Sequence, residues 1–368
     1  MFENIPHTAR AAVFAAPNAP FLIREFPLHP PRPGEILVRV RMATICRSDL
    51  HSYQGLRPSP CPGILGHEII GQIVALGGDI HFDLRGDALA VGDRVTWTEY
   101  FFSGQCYHRD VLNLPQKCPR VKKYGHASAH QEPCLLGGFA DYCYLQPGTG
   151  ILPLPDELSD EEATPLNCGA ATMAAVTEAA QISLGSTVVI QGLGLLGLYG
   201  AALAKARGAR LVIGIDPVSA RRDLARNFGV DVVLAPPVES HRLEDRIGEL
   251  CLPDGADAVI EATGAPEVIP SGLKLLRTGG RYILAGVVNP GAMVMIDANQ
   301  ILRRCLTLSG VHNYHPRHLL QALEFLVANR NRFPFHDLVD ARYPLERIQD
   351  AFDDAAQQRV LRAAIVPS

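Results

Sequence analysis

The chain has 368 residues, 47% of them hydrophobic and 20% charged, with a formal net charge of −4. That length exceeds one ordinary core and predicts two domains. The charge balance excludes nucleic acid and an anionic membrane surface as partners recruited by charge. No apolar run reaches the ~18 residues of a spanning helix. The start, Met1-Phe-Glu-Asn-Ile-Pro-His7, lacks the basic and apolar regions of a secretion signal. Cysteines stand at 46, 61, 106, 118, 134, 143, 168, 251 and 305. An odd, dispersed set fits reduced cytoplasmic thiols and a metal site better than a disulfide framework.

Residues 10 to about 155 read as β-rich. Ala11–Phe14 and Phe21–Phe26 flank the turn Ala16-Pro-Asn-Ala19 and predict a hairpin. Glu35–Arg41 alternates apolar and charged residues, the period of a half-buried strand. Ile69–Leu76 and Asp93–Trp97 predict further strands. Ser103–Gly138 has little periodicity and reads as a long surface excursion. Ser159-Asp-Glu-Glu162 opens a helix, with acids in its first turn.

From there strands alternate with helices. Strands are predicted over Thr187–Ile190, Leu211–Ile215, Val232–Leu234, Ala258–Ile260 and Tyr282–Leu284. Helices are predicted over Leu195–Arg207, Ser219–Phe228 and Val268–Leu276. Apolar strands spaced by helices imply a parallel sheet covered on both faces. After about Leu306 the rhythm breaks. The helix His318–Asn329 and the closing Arg362–Val366 are expected to return to the first domain.

Strand 187–190 runs into Gln191-Gly-Leu-Gly-Leu-Leu-Gly197, a G-x-G-x-x-G that opens a helix. The first glycine permits the tight turn, the second lets the backbone approach a pyrophosphate, and the third lets helix and strand pack closely. The helix N-terminus offers N–H groups and partial positive charge to phosphates. Asp216 ends the next strand, 19 residues beyond Gly197, placed for an adenosine ribose. A 2′-phosphate would be repelled there, which favours NAD over NADP; Arg221 and Arg222, just beyond, weaken that preference. Gly192, Gly194, Leu195, Leu196, Gly197, Asp216 and Arg221 are the cofactor-binding candidates of this half.

A second constellation lies upstream, in Thr44-Ile-Cys-Arg-Ser-Asp-Leu-His51 and Gly66-His-Glu68. Thiolate and imidazole suit a borderline-soft cation such as Zn²⁺, and catalytic zinc usually takes three protein ligands beside an open position. Cys46 and His67 would supply two of the three.

These motifs, with Gly92-Asp-Arg-Val95, make the chain resemble the zinc-dependent alcohol dehydrogenases of the medium-chain dehydrogenase/reductase superfamily over nearly its whole length. The resemblance implies an α/β fold: a GroES-like catalytic domain, residues 1–160 completed by 306–368, and a Rossmann NAD-binding domain, 161–305, with the active site in the cleft between them. It assigns the third zinc ligand to Cys168, in Asn167-Cys-Gly-Ala-Ala-Thr172. Glu68 matches a carboxylate close to the metal, and Asp49 one that orients the histidine ligand. Ser48 matches a hydroxyl that bonds the substrate oxygen, with His51 as the surface end of its proton relay. Arg47 and Arg362 match residues at the cofactor pyrophosphate, and Thr172 one near the nicotinamide. The implied activity is hydride transfer between an alcohol or its carbonyl and NAD, with zinc as Lewis acid. Homodimers or homotetramers are implied, often joined through the Rossmann sheets.

The pattern breaks at the lobe where many members bind a structural zinc through C-x2-C-x2-C-x7-C. Here Ser103 and Arg109 replace two of four thiols around Cys106 and Cys118. This predicts a lobe without metal, since a closed site wants four ligands. Lys123-Tyr-Gly-His126 and Gly137-Gly-Phe-Ala140 are similar to a subgroup associated with phosphonate breakdown. An anionic substrate would call for cations from Arg57, Arg120, Lys122 or Lys123. Tyr53, Leu56, Trp97, Glu99 and Tyr124 are pocket candidates. Two alternatives remain open: a zinc-independent enone or quinone reductase of the same superfamily, and a non-catalytic NAD-binding protein.

Overall fold

The protein's structure, a computed structural model, describes residues 5–78, 80–236, 241–250 and 255–367. Cys251 lies outside the described residues. The first hairpin pairs β1 (Thr8–Phe14) with β2 (Leu22–Pro27), Ala11 opposite Arg24. Its turn holds Asn18 at φ 58°, a left-handed backbone that asparagine tolerates. The alternating stretch forms β3 (Ile36–Thr44), whose charged Arg39 and Arg41 are exposed while its apolar residues are buried. The next elements are α1 (Arg47–Tyr53), β4 (Gly63–Ile64), β5 (Glu68–Leu76) and β6 (Arg94–Trp97). After them come β7 (Tyr100–Phe101), α2 (Tyr107–Asp110), β8 (Lys122–Lys123), β9 (Tyr142–Leu145) and β10 (Ile151–Pro153).

The predicted excursion is a surface lobe only in part. Beyond β8 the chain re-enters the core, where Tyr124, Leu135 and Phe139 are buried. Apolar residues at irregular spacing leave no periodic signal, so the sequence reading missed this return. At Ser159 a reciprocal capping box with Glu162 starts α3 (Asp160–Ala163).

Next come α4 (Gly169–Ala179), β11 (Thr187–Gln191), α5 (Leu195–Ala206), β12 (Leu211–Ile215), α6 (Ser219–Asn227) and β13 (Val232–Leu234). The alternation continues with α7 (His241–Leu250), β14 (Ala256–Glu261), α8 (Ile269–Lys274), β15 (Leu276–Leu284), α9 (Ala298–Arg303) and β16 (Thr307–Gly310). Their sheet is parallel in the order β13-β12-β11-β14-β15-β16. Its strands are apolar and β-branched because helices cover both faces.

The chain ends with α10 (Pro316–Asn329), β17 (Ala341–Pro344), α11 (Ile348–Ala356) and β18 (Ala363–Val366). β18 pairs with β3, completing the sheet β10-β6-β5-β3-β18-β17, with β9 also on β3. Leu345, Phe352 and Ile365 join the core formed by Phe14, Val38 and Trp97.

Two compact units result: Met1–Cys168 with His315–Leu320 and Phe335–Ser368, and Gly169–Tyr314 with Gln321–Pro334. The predicted limits at 160/161 and 305/306 differ from these. The rhythm continues past Leu306, because β16 is a sixth parallel strand. It is short and half-exposed, so it lacks the continuous apolar run of a central strand. The helix expected to return to the first domain instead divides at Leu320. Its later part stays with the parallel sheet's unit, where Phe333 packs near Gly229 and Phe325. Among the described residues, no helix is long and apolar enough to cross a membrane.

Candidate metal and cofactor sites

The register of β3 on β5 sets the first site. Thr44 pairs with Glu68, so Cys46, just past one strand, meets His67, just before the other. Cys46 is the N-cap of α1, and its N–H donates to Asp49 Oδ2 at 2.9 Å. Gly66 must be glycine: its φ is +88°, and a Cβ there would lie 2.9 Å from the Phe139 ring. Cys168 follows the 3-10 turn Thr164–Asn167. Asn167 Nδ2 donates to the His67 carbonyl at 2.9 Å, which ties that turn to the histidine.

Ligating atoms of Cys46, His67, Glu68 and Cys168 lie within 4.8 Å of one another. Zinc bonds sulfur at about 2.3 Å and nitrogen at about 2.0 Å, so atoms this close can share one ion. Among the described residues this is the single group of three or more ligating side chains.

The electrostatics also fit a cation. Contact with the Cys168 sulfur, aided by His67 and Arg362, holds the Cys46 thiol well below its ordinary range. Cys168 is pushed up by the same contact and by burial. Burial opposes a charge on His67, but Asp49 and Cys46 outweigh it and raise the imidazole well above its usual value. Glu68 is pushed up to about 7, mainly by burial, against the pull of Arg362. Its Oε1 is buried without a hydrogen-bond partner, a demand that a cation or its water would meet.

Other side chains surround the cluster. Thr44 Oγ1 donates to Glu68 Oε2. Ser48 Oγ lies 3.3 Å from His67 Nε2. His51 stands one turn further along α1, half-buried, and Arg47 is exposed. Arg362 is buried, donates to the Ile45 carbonyl at 2.7 Å and sits 3.4 Å from Glu68. The sequence reading placed it only at a phosphate; its contact with the metal set depends on β18 pairing with β3, which no local pattern reveals.

His126 closes the stretch Lys123-Tyr-Gly-His126. Its ring stacks on His67 with centroids 5.4 Å apart. Burial keeps it well below the usual histidine range, helped by His67, Arg57 and Lys123. Arg57 and Lys123 thus act on His126 through their charge, and Lys123 Nζ pairs with Glu99 at 3.4 Å. Arg120 lies instead by Gly104 in the lobe, and Lys122 is exposed. Trp97 and Tyr124 are fully buried, and Tyr53 stacks on Phe21. In the lobe, Cys106 caps α2 and Cys118 ends the 3-10 turn Pro115–Lys117 packed against it.

The second site is the turn from β11 to α5. Gly192 adopts φ +94°, and a Cβ on Gly197 would lie 2.0 Å from the Gly192 carbonyl. A Cβ on Gly194 would meet nothing within 4 Å, so open space lies where a pyrophosphate would approach. Leu195, Leu196 and Gly197 form the first turn of α5, and their N–H groups have no intrahelical acceptor. Asp216 Oδ2 accepts from Leu193 N and Oδ1 from Val218 N, both at 2.8 Å, which fixes the carboxylate beside the loop. Arg221 Nη1 is 3.9 Å from it. Arg222 donates to the Asp216 and Pro217 carbonyls. Thr172 is half-buried on α4.

A parallel sheet of the dinucleotide-binding kind and a thiol–imidazole cluster able to hold a metal together fit a dehydrogenase that works with both zinc and a nicotinamide cofactor. Residues 32–156 match the alcohol dehydrogenase GroES-like domain, and residues 196–328 the zinc-binding dehydrogenase family. The 5-exo-hydroxycamphor dehydrogenase of Pseudomonas putida is 31% identical, over 94% of this chain and 95% of that one. The L-threonine 3-dehydrogenase of Pyrococcus horikoshii is 32% identical over 77% of each. The crystal structure of an alcohol dehydrogenase from Thermotoga maritima superposes with a TM-score of 0.93 at 31% identity, covering 98% of this chain and 100% of that one. The chain belongs to the zinc-dependent alcohol dehydrogenases of the medium-chain dehydrogenase/reductase superfamily. It is an oxidoreductase of CH–OH groups that uses zinc and NAD on a small-molecule substrate.

Proposed function

We propose that Cys46, His67 and Cys168 hold the zinc, with Glu68 as the adjacent carboxylate able to enter the set. The observation that carries this is the convergence of these four ligating groups. Zinc bound there supplies a Lewis acid toward the substrate oxygen. Ser48, beside His67 Nε2, accepts the substrate's hydroxyl proton, and His51 passes it outward. Asp49 holds the His67 ring, and Arg362 keeps the buried Glu68 compensated. The glycine loop 192–197 takes the pyrophosphate. Asp216 and Arg221 take the adenosine ribose, and Thr172 the nicotinamide side.

The test combines metal analysis with NAD reduction across an alcohol panel. Wild type should carry a zinc that Cys46→Ser and Cys168→Ser lose, together with turnover. Turnover by a chain proven metal-free would overturn the assignment and favour the zinc-independent reductase reading.

We further read the substrate as carrying an anionic group. Arg57 and Lys123 both act electrostatically on His126, which stacks on a ligand. A relative named D-arabitol-phosphate dehydrogenase, from Enterococcus avium, is 29% identical over 90% of this chain. A phosphate-bearing alcohol should show a lower KM than its neutral parent, and Arg57→Met should erase that difference.

For assembly we propose a homodimer joined through β16, the edge of the parallel sheet. An unpaired edge is a template for pairing, and Val288, Met293, Met295 and Leu302 are exposed near it in sequence. Light scattering should give a dimer that Leu302→Lys weakens. The thiol ligands fit a reducing compartment, and we assign the chain to the cytoplasm.

A further inference from the structure

The lobe between β7 and β8 holds two cysteines that the proposed reaction does not use. Cys106 and Cys118 are both buried; Cys106 caps α2, which packs against the 3-10 turn Pro115–Lys117 that ends at Cys118. The backbone fixes this approach from both sides. Cys106 N–H donates to Asp110 Oδ2 and Asp110 N–H returns to the Cys106 carbonyl, each at 2.8 Å. Leu114 N–H donates to the His108 carbonyl at 2.7 Å, and Cys118 N–H to Pro115 at 3.1 Å. These bonds hold α2 against the turn that carries Cys118.

The chemistry of the pair is asymmetric. Contact with Cys118, together with backbone N–H groups of Arg109 and His108 and the charge of Arg120, draws the Cys106 thiol below its ordinary range. Two thiols outside both clusters move the opposite way: Cys134 is pushed up to about 11 by burial and Glu132, and burial also raises Cys143. Thiolate character sets reactivity toward oxidants.

We propose that Cys106 and Cys118 form a redox-modification site, closing a reversible disulfide across the lobe when the protein meets a peroxide. The Cys106 thiolate attacks the peroxide. Its S–O bond forms as the O–O bond breaks, giving a sulfenic acid and, with hydrogen peroxide, one water. The Cys118 thiol then attacks that sulfur. The S–S bond forms, the S–O bond breaks, and the oxygen leaves as a second water with the thiol's proton. Two thiols are oxidised by two electrons, and one peroxide is reduced to two waters. A dithiol reductant reverses the change by thiol–disulfide exchange. The closed bond would staple the two ends of the lobe just before they run into β7 and β8, which pair through Tyr100 and Lys123.

The experiment uses the zinc-loaded full chain. It is treated with hydrogen peroxide, alkylated, digested with trypsin and mapped by mass spectrometry. The expected product is one cross-link joining the peptides of Cys106 and Cys118, a loss of two alkylatable thiols, and full recovery with dithiothreitol. Cys118→Ser should abolish that cross-link and leave Cys106 as a trappable sulfenic acid. Alkylation of both cysteines after peroxide, or sulfinic acid at Cys106 of the wild type without a cross-link, would overturn the proposal. So would a second equivalent of zinc that must be stripped before either thiol reacts. The wild-type map decides the question even if the variant fails to fold.

Discussion

Asp49 Oδ1 stands 3.3 Å from Nδ1 of His67, with both side chains almost sealed from solvent. The same oxygen accepts from Gly66 N at 3.2 Å, while Oδ2 holds Cys46 N. One carboxylate therefore orients the chain at two candidate ligands. A carboxylate behind Nδ1 fixes the tautomer and leaves Nε2 for a metal. Asp49→Asn should keep the fold by circular dichroism and lower zinc affinity by about 10–100-fold, read by competition with a chelator. Unchanged affinity would remove Asp49 from the positioning role.

Zinc binding to the stripped protein should be strongly pH-dependent. His67 and Cys168 both have raised pKa values, so each holds a proton that zinc must displace. Affinity should therefore fall as pH drops, by up to about tenfold per pH unit for each proton displaced. Calorimetry in buffers of different ionisation enthalpy would count the protons released. No release would contradict the ligand assignment.

The glycines of the nucleotide loop should separate by mechanism. Gly197→Ala forces a Cβ against the Gly192 carbonyl, an overlap expected to cost about 1–3 kcal/mol and to lower the thermal midpoint. Gly194→Ala meets open space at φ −73°. It should leave stability intact and weaken NAD by about tenfold or more, about 1.4 kcal/mol, because the methyl occupies the phosphate's approach. Equal loss of stability in both variants would refute this division.

Ser48→Ala should lower kcat by about 10²-fold or more, with zinc content unchanged, while Ser48→Thr should restore most of the rate. His51→Gln should act more mildly and change the pH profile of kcat, since it removes the outer end of the relay. A flat effect of both substitutions on kcat would exclude the Ser48–His51 route.

Much of the molecule was legible in its residues because the signals are local. The strand into Gly192, the helix from Leu195 and the acid at Asp216 lie within one unit of chain, where period and turn chemistry act directly. Ligand types at Cys46 and His67 follow from the chemistry of thiolate and imidazole, and family likeness extended the set to Cys168. The half-exposed β16 and the divided α10 carry no clear period, so the limits of the compact units are not written in any local pattern.

Other features of the site depend on contacts between distant segments. Arg362 reaches Glu68 because β18 pairs with β3, and His126 stacks on His67 because the chain beyond β8 re-enters the core. The meeting of Cys106 with Cys118 likewise depends on the bonds that fold the lobe. Composition and spacing state which side chains are available; strand register and core packing, summed over the whole chain, determine which of them share a few ångströms.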